Sequence, residues 1–196
     1  MPSPVSGSAE LLAALARGLA VVRAPWYVFG AQAVLIWGRP RFTADVDVTV
    51  RLEPGEPDRL IEALANEKFV LRVPDARDFV ARARVLPFVH TPTNLPLDIV
   101  LAGAGLEEQF LARAVLVDIG GVQVPVMSPE DLVVTKILAG RPKDIEDVRG
   151  ILAERAATLN PATIRDTLLL LEDALSVNDL IPVFDVEWRR VSPTRG

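Results

Sequence analysis

Eight residues limit this chain more than any others: Thr43-Ala44-Asp45-Val46-Asp47-Val48-Thr49-Val50. Polar and apolar side chains alternate here, and successive side chains of a strand leave opposite faces. The stretch is therefore a strand with Val46, Val48 and Val50 toward a core. Asp45, Asp47 and Thr49 share the other face. Two carboxylates on one strand face repel each other unless something compensates them. A divalent cation is the usual compensation. Oxygen-only donors suit Mg²⁺, which takes one or two carboxylates and leaves room for substrate phosphates.

The residues just upstream sharpen this expectation. Trp26-Tyr27-Val28-Phe29 is a short apolar, aromatic and β-branched run, which predicts a buried strand. Gly30-Ala31 closes it and opens an apolar stretch, residues 32–37, with the look of a short buried helix. Glycine lets a backbone approach a ligand closely, and the amides at a helix start favour anions. Arg39-Pro40-Arg41 then turns the chain into the alternating strand, which places Arg41 for a phosphate contact. A phosphate cradle, basic residues and a carboxylate pair thus fall within 26–50.

This segment resembles the nucleotidyltransferase superfamily of the DNA polymerase β type, and within it the small AbiEii-like bacterial proteins. In that family a strand leads to a Gly-Gly or Gly-Ser pair, then a helix, then a strand carrying Asp-x-Asp. Gly30-Ala31 stands at the glycine pair, with alanine in the second place and Gln32 following, and Asp45-x-Asp47 stands at the carboxylate pair. The resemblance implies an α+β fold, a small mixed sheet flanked by helices with a C-terminal helical region. It implies a catalytic core over residues 1–127 and helices packing on it over 128–196.

The resemblance extends further along the chain. Leu97-Asp98-Ile99-Val100-Leu101 sets one acid in an apolar strand, as the family sets a third carboxylate after the pair. Asp45, Asp47 and Asp98 would then be the catalytic residues and the metal ligands, for two Mg²⁺ ions with Mn²⁺ as a substitute. Residues 136–147, KILAGRPKDIED, resemble the family's helix lysine followed by an Arg/Lys-x-x-Asp-x-x-Asp helix start. That implies Lys136 and Asp144 at the nucleotide, beside Gly30, Ala31 and Arg41. Asp144 and Asp147 share one helix face. They can anchor Lys136 or Arg141, or take part in acceptor chemistry.

The activity so implied is Mg²⁺-dependent transfer of an NMP from an NTP to a hydroxyl acceptor. The acceptor is an RNA or tRNA end or a protein, with a toxin role and a cognate antitoxin in view. The alternatives are a small-molecule acceptor, as in antibiotic nucleotidyltransferases, and a catalytically silent nucleotide- or partner-binding module.

Composition narrows the field. The 196 residues hold no cysteine and one histidine, His90. That removes thiolate zinc sites and cysteine nucleophiles and leaves a histidine triad nearly excluded. The histidine itself is expected in an exposed loop. A net charge of −5 argues against a general binder of phosphate backbones. Half of the residues are hydrophobic, enough for a packed core. The apolar stretch 11–22 is broken by Arg17 and is too short for a bilayer, so a soluble cytoplasmic protein is expected.

The remaining elements follow from local signals. Residues 1–7 read as a mobile Pro/Ser/Gly-rich lead, and Ser8 as the cap of a helix over 9–23. Helices are predicted over 58–66, 74–83, 105–114 and 178–184, and strands over 69–73, 85–89 and 95–101. Thr91-Pro92-Thr93-Asn94, with Pro96 just beyond it, argues against a two-residue hairpin turn. Gly120-Gly121 joins strands 115–119 and 122–126 in a tight hairpin. Ser128-Pro129 and Asn160-Pro161 are cap-then-proline helix starts, for helices ending at Ala139 and Leu175. Gly140 and Pro142 separate the first of these from a helix over 143–155.

Overall fold

The computed structural model describes residues 4–39, 43, 45–53, 56–74 and 76–191. They fall into two compact units, Met1–Gln32 with Phe42–Met127, and Ala33–Arg41 with Ser128–Gly196. The fold is mixed α+β.

The first unit is built on seven strands: β1 (Trp26–Phe29), β2 (Val46–Val50), β3 (Phe69–Leu71), β4 (Val85–His90), β5 (Leu95–Leu101), β6 (Val115–Ile119) and β7 (Val122–Val126). They form one mixed sheet in the order β3-β4-β5-β2-β1-β7-β6. The pairs β1–β7 and β2–β5 are parallel, and the other four are antiparallel.

Register turns the alternating pattern of β2 into two layers. Val126, Val28, Val48, Ile99 and Leu86 line up across five strands, and each is fully buried. Every aliphatic side chain buried this way contributes about 1.5–3 kcal/mol. The next row, one residue along and on the opposite face, is Phe29, Asp47, Asp98 and Pro87. A one-residue slip would exchange core and acids, so the apolar layer fixes where the carboxylates stand.

Helix α1 (Pro4–Val22) packs on β7, β5 and α3 (Glu56–Asn66) through Leu11, Leu12, Leu15 and Leu19. It starts earlier than its sequence suggests, and Ser8 lies inside it rather than at its cap. Proline suits a first helical turn, and Gly7 is buried with space beside Leu95. Helix α4 (Ala76–Ala83) lies against β4, and α5 (Leu106–Arg113) precedes β6. Gly120 and Gly121 both take positive φ, 64° and 86°, as the tight β6–β7 turn requires.

His90 differs from expectation. It ends β4 and is 2% exposed, its Nδ1 is 2.9 Å from Thr93 Oγ1, and its ring lies 4.7 Å from that of Phe69. Burial pushes its imidazole below the ordinary value; Glu10 and Glu67 pull it up and Arg17 pushes it further down.

Helix α2 (Gly30–Trp37) begins in the first unit and ends in the second, which otherwise consists of α6 (Pro129–Ala139), α7 (Pro142–Arg155), α8 (Pro161–Leu175) and α9 (Leu180–Val191). Ser128 Oγ accepts from the Asp131 amide at 3.1 Å and Gly140 closes α6 at φ 63°. Asn160 Oδ1 caps α8. Helix α9 continues well past residue 184. Its buried stripe, Leu180, Phe184 and Glu187, includes an acid that the apolar pattern alone hides. Arg149 of α7 takes Glu187 in a two-pronged pair, both contacts 2.9 Å, which holds that carboxyl below its ordinary value. Among the described residues no helix is long and apolar enough to cross a membrane.

Candidate functional site

Gly30 is the first residue of α2 and has φ 64°. A side chain there would place its Cβ 2.4 Å from Asp47 Oδ2. The space of the missing side chain is therefore where the Asp47 carboxylate sits, directly over the helix start. Amides in a first helical turn lack intrahelical acceptors and carry the positive end of the helix dipole. The strand register then sets Asp98 beside Asp47 on the neighbouring parallel strand. Three residues that are far apart in sequence, Gly30, Asp47 and Asp98, meet on one face of the sheet.

Asp45 stands one residue ahead of β2 and is exposed. Its carbonyl accepts weakly from Gln32 Nε2 at 3.4 Å and from Thr43 Oγ1 at 3.5 Å, which ties the approach of β2 to α2. Ala31 follows Gly30 in the first turn and is partly exposed. Arg41 lies outside the described residues.

Asp98 has a partner that its sequence neighbourhood does not announce. Arg72, 26 residues earlier, donates from Nη2 to Asp98 Oδ1. The same guanidinium donates from Nε to the Phe88 carbonyl at 3.0 Å, and the Arg72 amide donates to the Pro87 carbonyl at 2.9 Å. Only the β3-β4-β5 order brings this arginine to the acid. Arg72 and Asp98 border a cleft of about 360 Å³ whose other described walls are Val73, Phe79, Ala83, Val85 and Pro87.

The donor set around Asp47 consists of carboxylate oxygens and suits a hard divalent cation. Gly30, having no side chain, leaves the Asp47 carboxylate room against the helix start. Among the described residues, no three His, Cys, Asp or Glu side chains already converge as a metal cluster. Asp47 and Asp98 form the core of the arrangement and Asp45 stands at its edge.

Lys136 and Asp144 lie in the second unit, where they meet each other. Lys136, 7% exposed, donates from Nζ to Asp144 Oδ1 at 3.1 Å and to Asp147 Oδ2 at 2.7 Å. Arg141 adds two bonds to Asp144, at 2.5 and 3.2 Å. Burial works to raise the Asp144 carboxyl, but Arg141 and Lys136 outweigh it and hold the carboxyl below its usual range. Both acids anchor the lysine, and Asp144 takes Arg141 as well.

The family described as nucleotidyltransferase of unknown function (DUF6036) matches residues 21–156. No curated protein sequence matches the chain. The solution structure of the antibiotic-resistance factor ANT(2'')-Ia is similar at a TM-score of 0.60 and 13% identity, over 87% of this chain and 94% of that one. The crystal structure of ANT(2'')-Ia in complex with adenylyl-2''-tobramycin gives 0.58 and 16%, over 86% and 98%. An antigenic nucleotidyltransferase-like protein from Paracoccidioides brasiliensis gives 0.56 and 17%, over 90% and 91%. JHP933 from Helicobacter pylori gives 0.54 and 13%, over 97% and 94%. At these identities the likeness is one of fold.

Proposed function

The chain belongs to the nucleotidyltransferase family, and for this transferase we propose transfer of an NMP from an NTP to a hydroxyl acceptor at Asp47 and Asp98. One observation carries the reading: Asp47 lies over Gly30 and beside Asp98, so two carboxylates and a helix start share one small space. Nucleotidyltransferases generally use divalent metal ions such as Mg²⁺. Asp45, Asp47 and Asp98 would hold two such ions here, with Mn²⁺ as a substitute. When bound, the ions stabilise the attacking and leaving oxygens of the transfer.

The chain's own residues supply the rest. Gly30 gives the Asp47 carboxylate its place at the helix start, and the Gly30 and Ala31 amides, with Arg41, would receive the charge of the triphosphate. The acceptor oxygen forms its bond to the α-phosphorus, the bond to the bridging oxygen breaks, and pyrophosphate leaves. Asp98 accepts the acceptor's proton. Catalysis of this kind is mostly positioning and charge stabilisation, which rigid strand ends provide.

We propose an RNA end or a protein hydroxyl as acceptor, acting in the cytoplasm, with the toxin role and antitoxin that AbiEii-like resemblance suggests. A small-molecule acceptor is the second reading. It is supported by the apolar walls of the cleft beside Asp98 and by the adenylylated tobramycin bound to ANT(2'')-Ia. For Lys136 and Asp144 the resemblance proposes contact with the nucleotide, while their ion pairs favour a buried strut joining α6 and α7.

The test uses NTPs labelled at the α-phosphate, with Mg²⁺, offered to RNA, protein and small-hydroxyl fractions. The wild type should label one fraction and Asp47→Asn none. Undiminished labelling by Asp47→Asn would remove the acid pair from the chemistry.

A further inference from the structure

Asp47 and Asp98 face each other across neighbouring parallel strands, whose backbones run about 4.8 Å apart, and leave the same face. Like charges placed side by side on a sheet face repel. Arg72 answers that repulsion at Asp98. It is held by β4 rather than by the acid: its Nε rests on the Phe88 carbonyl and its amide on the Pro87 carbonyl. Nη2 alone reaches Asp98. Both side chains are about two-fifths exposed, 40% and 39%. The pair can therefore open without stranding a charge away from water. The cleft on this side, walled by Val73, Phe79 and Val85, leaves open space beside the pair.

We propose that Arg72 is a displaceable counter-ion: it neutralises Asp98 until a divalent cation takes that carboxylate. The anchored guanidinium then remains as a fixed cation at the edge of the acid pair. The inference rests on Asp47 and Asp98 being metal ligands. Its consequence is competition. Metal and guanidinium seek the same carboxylate, so removing Arg72 should tighten metal binding. Exposed ion pairs contribute at most about 1 kcal/mol, which corresponds to about fivefold in Kd. A role confined to holding the fold together predicts no gain.

The experiment titrates the full chain with Mn²⁺ alone, without nucleotide, and reads Kd by calorimetry. Arg72→Gln should bind about fivefold tighter than wild type. Arg72→Lys keeps the charge but loses the Phe88 anchor, and should fall between them. In an Asp98→Asn background Arg72→Gln should change nothing. Equal or weaker binding by Arg72→Gln overturns the proposal. If that variant does not fold, Arg72→Lys decides, and binding no tighter than wild type overturns it. The Asp47→Asn variant separates the two levels. If it binds Mn²⁺ as well as wild type, the metal reading itself fails and takes the inference with it. If it loses binding while Arg72→Gln matches wild type, only the counter-ion role fails.

Discussion

At the scale of single residues the site depends on one absent side chain. Gly30 takes a left-handed φ of 64°, and the volume a Cβ would fill is occupied by Asp47 Oδ2. Gly30→Ala therefore strains the backbone by about 1–2 kcal/mol and pushes the carboxylate aside. A displacement of about 1 Å at a reacting group costs on the order of 100-fold in rate. We expect a modest loss in urea stability and a loss of about 100-fold in transfer. A substitution that lowers stability but leaves turnover near wild type would show that the Asp47 position is not critical. Residue-level reading of the sequence singled out Gly30 and Asp47 because a strand-to-helix glycine and alternation are local signals, and Asp98 through the family resemblance; the structure sets these three on one face of the sheet. That reading missed Arg72, since no local signal marks an arginine that acts through a strand two positions across the sheet. It misplaced His90 because a histidine beside Thr91-Pro92 reads as loop, while β4 carries it into a pocket against Phe69.

At the scale of elements, helix boundaries written in caps and glycines were legible. Ser128-Pro129 with Gly140, Asn160-Pro161 and the Gly120-Gly121 hairpin each state a backbone conformation directly. Boundaries set by packing were not. Helix α1 begins before Ser8, with Gly7 buried, and α9 runs past residue 184 with Arg149 paired to its buried Glu187. Both are tertiary effects on weak local signals. The α6–α7 pair carries its own test. Lys136→Met leaves Asp147 buried without the lysine, and Asp144 with Arg141 alone. Breaking a buried pair costs about 3–5 kcal/mol. Because Arg141 still serves Asp144, a loss near 3 kcal/mol in urea denaturation is expected. A strut leaves the KM for NTP in the folded variant unchanged. A large rise in KM with little loss of stability would instead assign Lys136 to the nucleotide.

At the scale of the whole molecule, the order β3-β4-β5-β2-β1-β7-β6 brings the acids together. It sets β2 beside β5 and so converts two separate sequence motifs into one row. The mixed α+β class and the family were legible from those motifs, because strand, glycine, helix and acid strand follow in sequence; the pairing partner of each strand was not. A chain with net charge −5 gives a free triphosphate no long-range attraction. On the proposed reading, nucleotide binding then depends on local amides, arginines and the cation that the acids would hold. The most direct test measures thermal stability with each NTP, with and without Mg²⁺, for wild type and Asp47→Asn. A ligand at about 100 times its Kd adds roughly 2.7 kcal/mol, or about 5–10 °C for a chain of this size. The account predicts a Mg²⁺-dependent rise of that order for at least one NTP in the wild type, and none in Asp47→Asn. A rise that persists in Asp47→Asn, or that needs no Mg²⁺, would contradict it.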